Sequence, residues 1–398
     1  MLFRSNATTF NNSVRGSDRT FDLNLQGTDG TLLIVGELGQ LGVVTVTGMT
    51  TAEFGRVSGL STLDVTASDV TTFNDVVDAL DTLVTDADGT TRILANISAL
   101  NLDFRDDVAI AADGITLTGS ETVRFGRSLT GESDQFSLNV RGLDLTFNAD
   151  SGAVENLLNL SVGTEADGTF TNATFEGMVT LGGTLSGDGT LTFYQAVTLG
   201  GDLLNEGNGD VTFNDVVDIE GDVQNIAGGA ALGGDNDIEF GAASNLGGDV
   251  IADGTVTFQA DGTFDGAGDQ AVNADSIITN NDAALAKTTA GNFGLTAQSG
   301  MQLSGDVTAD DGDLSLTAPD VDLNGSGDQA LTATNGTLLT GDGTVLRKSG
   351  DGQLTLTGDD GIDIGGDVIT ANGDLTFEND TTFSGSGDQT ADAGDGGT

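Results

Sequence analysis

The sequence predicts an all-β fold, a parallel β-solenoid of about twenty stacked coils, and three observations carry that expectation. One phrase recurs at a fixed period: Gly268-Asp269-Gln270-Ala271, Gly327-Asp328-Gln329-Ala330 and Gly387-Asp388-Gln389-Thr390. Its glutamines lie 329 − 270 = 59 and 389 − 329 = 60 residues apart, and such self-similarity implies stacked units rather than one closed globule. A shorter period runs through Phe175, Phe193 and Phe213, spaced 18 and 20 residues apart. Around these positions apolar and polar residues alternate, so that Leu191 and Phe193 share one face while Thr190 and Thr192 share the other. About twenty residues suit two or three short strands with tight turns, and the sixty-residue repeat then reads as three coils.

Taken in order, residues 1–20 read as an irregular N-terminal edge. Leu2-Phe3-Arg4-Ser5 matches the translation of a common sequencing adapter, and Gly396-Gly397-Thr398 falls inside a repeat. The chain is therefore expected to be a gene fragment, with any signal peptide or export domain lying outside it. Residues 21–398 read as a single solenoid, less regular over 21–165 and regular over 166–398. In the first stretch Thr72-Phe73-Asn74-Asp75-Val76-Val77 anticipates Thr212-Phe213-Asn214-Asp215-Val216-Val217. In the second, the strand pairs 173–175 with 179–181, 191–193 with 197–199 and 211–213 with 217–219 are punctuated by glycine. Thr and Val favour strands and Gly-Asp favours turns. Phe175, Leu191, Phe193, Val211, Phe213 and Leu356 are expected to point inward.

Composition narrows the function. Lys plus Arg number 12 against 62 Asp plus Glu, a formal charge of −50. That excludes simple electrostatic binding to nucleic acid, which needs a basic footprint, and disfavours an anionic membrane surface. No apolar run is long enough for direct membrane insertion. Cys, His and Trp are absent, which removes disulfides, thiol nucleophiles, Cys/His zinc sites and histidine-based triads.

One segment carries a resemblance. Leu346-Arg347-Lys348-Ser349-Gly350-Asp351-Gly352-Gln353-Leu354-Thr355-Leu356-Thr357-Gly358 resembles the passenger-associated transport repeat, a Lys-x-Gly-x-Gly-x-Leu-x-Leu-x-Gly pattern. A weaker copy starts at Lys287. The alternation of strands and Gly turns over nearly the whole chain is similar to the passenger regions of bacterial autotransporters and filamentous-haemagglutinin-like exoproteins. The resemblance implies a right-handed β-helix on the outer surface of a Gram-negative bacterium or secreted from it. Its role would be that of a structural and adhesive stalk, with a host or neighbouring-cell receptor or glycan as partner.

The turns hold the candidate site residues. Gly-Asp precedes an aliphatic residue at Asp202, Asp210, Asp222, Asp249, Asp306, Asp313, Asp367 and Asp374. The ordinary reading is that each Asp caps its own turn. The sharper one is a calcium ladder, since parallel stacking sets equivalent carboxylates about 5 Å apart. Asp235, Asp237, Asp310, Asp311 and Asp313 are the densest oxygen clusters and the metal candidates, although no cofactor is required. No catalytic residues are expected. The alternative is a β-helix carbohydrate-active enzyme, a polysaccharide lyase or hydrolase using paired acids. A cleft lined by acidic residues from adjacent coils, beside an Arg and an aromatic residue, would favour it. Tyr194 follows an inward Phe and is expected to face out, and the Arg347-Lys348 pair reads as turn decoration.

Overall fold

The computed structural model describes residues 2–5, 7–149, 152–163, 171–205, 209–215, 217–221, 223–225 and 237–394. Among them there is no helix; the chain forms short strands in parallel stacked coils, a β-solenoid of about 17 turns. It divides into two compact units, residues 1–195 and 196–398.

In the first unit three strand rows build the walls. One row stacks Leu83, Leu102, Val123, Leu145, Ala173 and Leu191 in register. A second stacks Ile34, Phe54, Phe73, Ile93 and Ile110. A third stacks Val57, Val77, Ile97, Leu117, Val140 and Val162. Side chains on a strand alternate faces, so each row puts every second residue into the interior, and all of these core residues are buried. Residues 2–4, 7–10 and 14–15 are strands paired to the coil that follows them.

The aromatic residues are the interior filling. Phe104, Phe125, Phe147, Phe175 and Phe193 form a continuous stack with centroids 5.5, 5.1, 4.4 and 4.7 Å apart and planes within 17° of parallel. In-register parallel pairing forces equal residues to lie about 4.8 Å apart, which is the spacing offset aromatic rings prefer. In the second unit Phe213, Phe240 and Phe258 repeat the arrangement at 5.4 and 4.8 Å. Phe175, Leu191, Phe193, Val211, Phe213 and Leu356 all point inward as expected, each with essentially no exposed surface.

The second unit also has three rows: Val272, Leu295, Leu316 and Thr340; Leu285, Val307, Leu331, Leu356 and Phe377; and Met301, Val321, Leu346, Val368 and Ala391. Successive coils in the first row are 23, 21 and 24 residues apart. This corrects the reading of sixty residues as three coils: the repeat is closer to two and two-thirds coils. Gln270 therefore opens a strand in the first row, Gln329 one in the second, and Gln389 precedes one in the third. The repeated phrase visits the three walls in turn, which no single-sequence period could show.

Candidate functional site

The turn aspartates hold coils together. Asp249 Oδ1 accepts the main-chain N–H of Ala271 at 2.8 Å, Asp306 that of Ala330 at 2.8 Å, and Asp367 that of Thr390 at 2.8 Å. Each acceptor sits one coil before its donor. The expectation that Asp caps its own turn is corrected: the carboxylate reaches forward to the strand that stacks on it. A strand start leaves an N–H without a ladder partner, and a buried orphan donor is costly. Asp269, Asn292 and Asp313 form a run of such caps, accepting from Asn292, Asp313 and Thr337 at 2.8, 3.0 and 2.8 Å. Asn stands where a third consecutive carboxylate would face two others.

The metal candidates fall into this scheme. Asp237 accepts from Thr255 N–H at 2.6 Å, and its own N–H donates to Asp210 at 3.3 Å. Asp313 is a cap as above. Asp310 and Asp311 are exposed at the end of the strand Val307–Asp311. Asp235 lies outside the described residues, as does Asp222. Among the described residues no group of three or more acidic side chains comes together in a way that could hold a metal ion.

The repeated phrase marks a buried polar corner. Gln329 Nε2 donates to the carbonyls of Leu303 at 3.0 Å and Gly305 at 3.1 Å, and its Oε1 accepts from Gly325 N–H at 3.0 Å. Gln270 donates to Leu246 and Gly248 at 3.1 and 3.0 Å. Four residues earlier stands a glycine, Gly266 or Gly325, packed so closely that a Cβ would lie 1.8 Å from the Gly247 oxygen or 2.1 Å from that of Ser304. One coil later comes a lysine. Lys287 takes the interior position of Phe264 in the coil before, and Lys348 that of Leu323. Lys287 donates to the Gly266 carbonyl at 2.8 Å and to Thr289, while Lys348 donates to the carbonyls of Gly325 at 2.7 Å and Asp351 at 2.9 Å. Both side chains are fully buried, and that burial pushes both ammonium groups below the usual lysine range. The reading of Lys348 as turn decoration is thus corrected, whereas Arg347 stays on the surface, 3.9 Å from Asp320. The alternation Leu346-x-Lys348 carried the signal that the lysine faces in.

A second buried polar group lies in the first unit. Asp106 is almost fully buried at the corner below Val108. Thr85 donates to its Oδ1 at 2.6 Å, and Thr91 to its Oδ2 at 2.8 Å. Thr85 follows Val84, which pairs with Asp103 of the next coil, so its hydroxyl reaches Asp106 from the coil before. Burial raises Asp106 to about 6 against the two hydroxyl bonds, with Asp86 adding repulsion.

The outer wall of the first unit carries a groove of about 510 Å³ that crosses four coils, from Thr82 and Val84 to Asp144 and Thr146. Asp103 stands at its centre. Arg105 Nε donates to one oxygen at 2.7 Å and Arg124 Nη1 to the other at 3.2 Å. Beside it Thr122 Oγ1 donates to Asn101 Oδ1 at 2.8 Å, and Asn101 Nδ2 to Glu121 at 3.2 Å. The lining contains acids and arginines but no aromatic residue. Tyr194 is exposed and stands elsewhere, facing outward as expected. Sequence reasoning missed this groove because its polar residues come from four separate coils and form no local motif. Comparison with family models, with curated proteins and with solved structures found no match.

Proposed function

We propose that the chain is a non-catalytic stalk of a bacterial surface or secreted protein, of the autotransporter-passenger or filamentous-haemagglutinin-like kind, working outside the cell as a rigid spacer that also carries adhesive contacts. The observation that carries this reading is how the polar residues are used. Turn carboxylates, buried glutamines and buried lysines all bond to main-chain groups of the neighbouring coil. Such chemistry resists separation of coils, which is what a spacer under tension needs. A partner would be a host or neighbouring-cell receptor or glycan. The enzyme alternative has one feature in its favour, the acid-and-arginine groove. Against it, both oxygens of Asp103 are engaged by guanidinium groups, so neither is placed to attack a sugar or carry a proton.

Single-molecule stretching tests the spacer role. A stalk of stacked coils should release length in discrete steps, each of roughly 70–80 Å for the coils of 21–24 residues in the second unit. Smooth entropic extension without steps would contradict it. Incubation with a polysaccharide panel tests the non-catalytic part: no turnover is expected, and turnover abolished by one Asp or Glu substitution would overturn it.

A further inference from the structure

We propose that the groove centred on Asp103 binds a neutral oligosaccharide, about one sugar to a coil; this deepens the adhesive reading above and rests on it. The main chain beneath the groove is closed to partners, because the strand Ile97–Phe104 pairs with a neighbour on each side. An incoming peptide cannot add as a further strand there, so recognition runs through side chains alone.

Charge selects among ligands. The chain carries a formal charge of −50, yet the groove lining holds two acids, Asp103 and Asp144, against two arginines, Arg105 and Arg124. An anionic chain meets the field of the whole molecule. A cationic peptide is drawn by that field but finds the groove's acids already engaged, Asp103 by Arg105 and Arg124 and Asp144 by the Asn172 side chain. A neutral polyhydroxyl chain meets neither penalty, and its hydroxyls need donors and acceptors side by side. Here these are fixed in advance: Asp103 is clamped by Arg105 and Arg124, and Thr122 is bonded to Asn101. Such preorganisation lowers the entropy cost of binding. Val84, half-buried in the same lining, offers an apolar spot for sugar C–H groups.

Size and spacing agree. Coils repeat at about 4.8 Å, close to the length of one pyranose along a glycan chain. The volume of about 510 Å³ lies within the range of small-ligand sites, about 300–1,000 Å³.

The test is calorimetric titration of the whole chain at about 0.15 M salt, where surface charges are screened beyond roughly 8 Å. The probes are cellohexaose, maltohexaose, xylohexaose, mannohexaose and N-acetylchitohexaose, with hexagalacturonate and hexalysine as charged counterparts. At least one neutral hexamer should bind. Arg124→Ala and the more exposed Arg105→Ala should each weaken it at least about tenfold with unchanged circular dichroism. Arg56→Ala, which removes a comparable surface pair with Asp78 outside the groove, should leave it unaltered. No binding by any neutral hexamer, tighter binding of either charged probe, or equal loss in Arg56→Ala would overturn the proposal. A null result across the neutral panel leaves the spacer reading standing. A hexamer that binds in the groove and is cut would instead sink the non-catalytic reading and uphold the groove.

Discussion

Lys348 and Gln329 meet at one corner of the second unit: the ammonium group caps the carbonyl of Gly325 at 2.7 Å, and the Gln329 side chain accepts the N–H of the same glycine at 3.0 Å. The two polar side chains bind both ends of one residue's main chain across a coil boundary. Their energetic weights differ. Gln329 is neutral and satisfies three buried main-chain groups. Lys348 satisfies two carbonyls but carries a charge whose burial is unfavourable.

Gln329→Leu should therefore be the more damaging change. It removes three buried hydrogen bonds, a loss of about 3 kcal/mol at roughly 1 kcal/mol each, and leaves the Gly325 N–H and the Gly305 carbonyl unpaired, while the Leu303 carbonyl keeps its bond from Asn324 N–H. Lys348→Met should cost less, about 1 kcal/mol, because removing the buried charge offsets the lost bonds. Urea unfolding followed by circular dichroism measures both; a Lys348→Met loss larger than that of Gln329→Leu would contradict the assignment.

Asp106 predicts a pH dependence. Its folded value of about 6 lies above the ordinary range for Asp, so the folded state holds the proton more tightly than the unfolded chain does. Stability from this group is complete at low pH and declines as pH rises from about 4 to about 6. The difference is on the order of 3 kcal/mol by linkage. Asp106→Asn keeps an acceptor for Thr85 and Thr91 and removes the titration. The fall in melting midpoint between about pH 4 and pH 7 should be smaller in the variant than in the wild type. Parallel curves for the two proteins would refute the role.

The Asp269–Asn292–Asp313 run predicts a charge effect. Asn292→Asp keeps the acceptor for Asp313 N–H but places a third carboxylate about 5 Å from two others. At the surface this should cost about 1 kcal/mol in low salt and little in molar NaCl. The wild-type chain should also melt higher in molar NaCl, given its formal charge of −50. Millimolar CaCl₂ against matched ionic strength separates screening from specific sites: an extra rise places calcium at the turns, and equal midpoints restrict the effect to screening. Insensitivity of both proteins to salt would refute the repulsion.

The aromatic stack predicts a packing effect. Phe147 lies between Phe125 and Phe175 at 5.1 and 4.4 Å. Phe147→Ala should lose about 3–5 kcal/mol and Phe147→Leu less, in the manner of core truncations. A loss under about 1 kcal/mol for the alanine variant would mean that the rings do not pack as described.

Much of this architecture was legible in the chain because parallel stacking repeats each side chain's surroundings. Leu191 and Phe193 could be placed inward from alternation alone, and Tyr194 outward. What stayed hidden depended on the pitch. Gln270 and Gln329 look equivalent in sequence, yet they occupy different walls because coils run to 21–24 residues rather than twenty. The turn aspartates were visible as turn residues, but the N–H that each one accepts lies a coil later and could not be found without the register. Lysine at an interior position runs against its usual exposure, so Lys348 was assigned by residue type when its place in the alternation was the better guide. The Asp103 groove had no sequence signal at all, since its residues meet only after folding.

In-register parallel stacking underlies every assignment above, and cysteine pairing measures it most directly because the chain has no cysteine. Thr174 faces Thr192 in the first unit, and Thr308 faces Thr332 in the second. Both pairs point outward at a spacing of about 4.8 Å, within the range of about 4.4–6.8 Å that a disulfide bridges. Thr174→Cys with Thr192→Cys, and Thr308→Cys with Thr332→Cys, should oxidise readily with the circular dichroism spectrum unchanged. The offset pair Asn172→Cys with Thr192→Cys should not. Failure of both in-register pairs, or equal oxidation of the offset pair, would contradict the solenoid and the functional reading built on it.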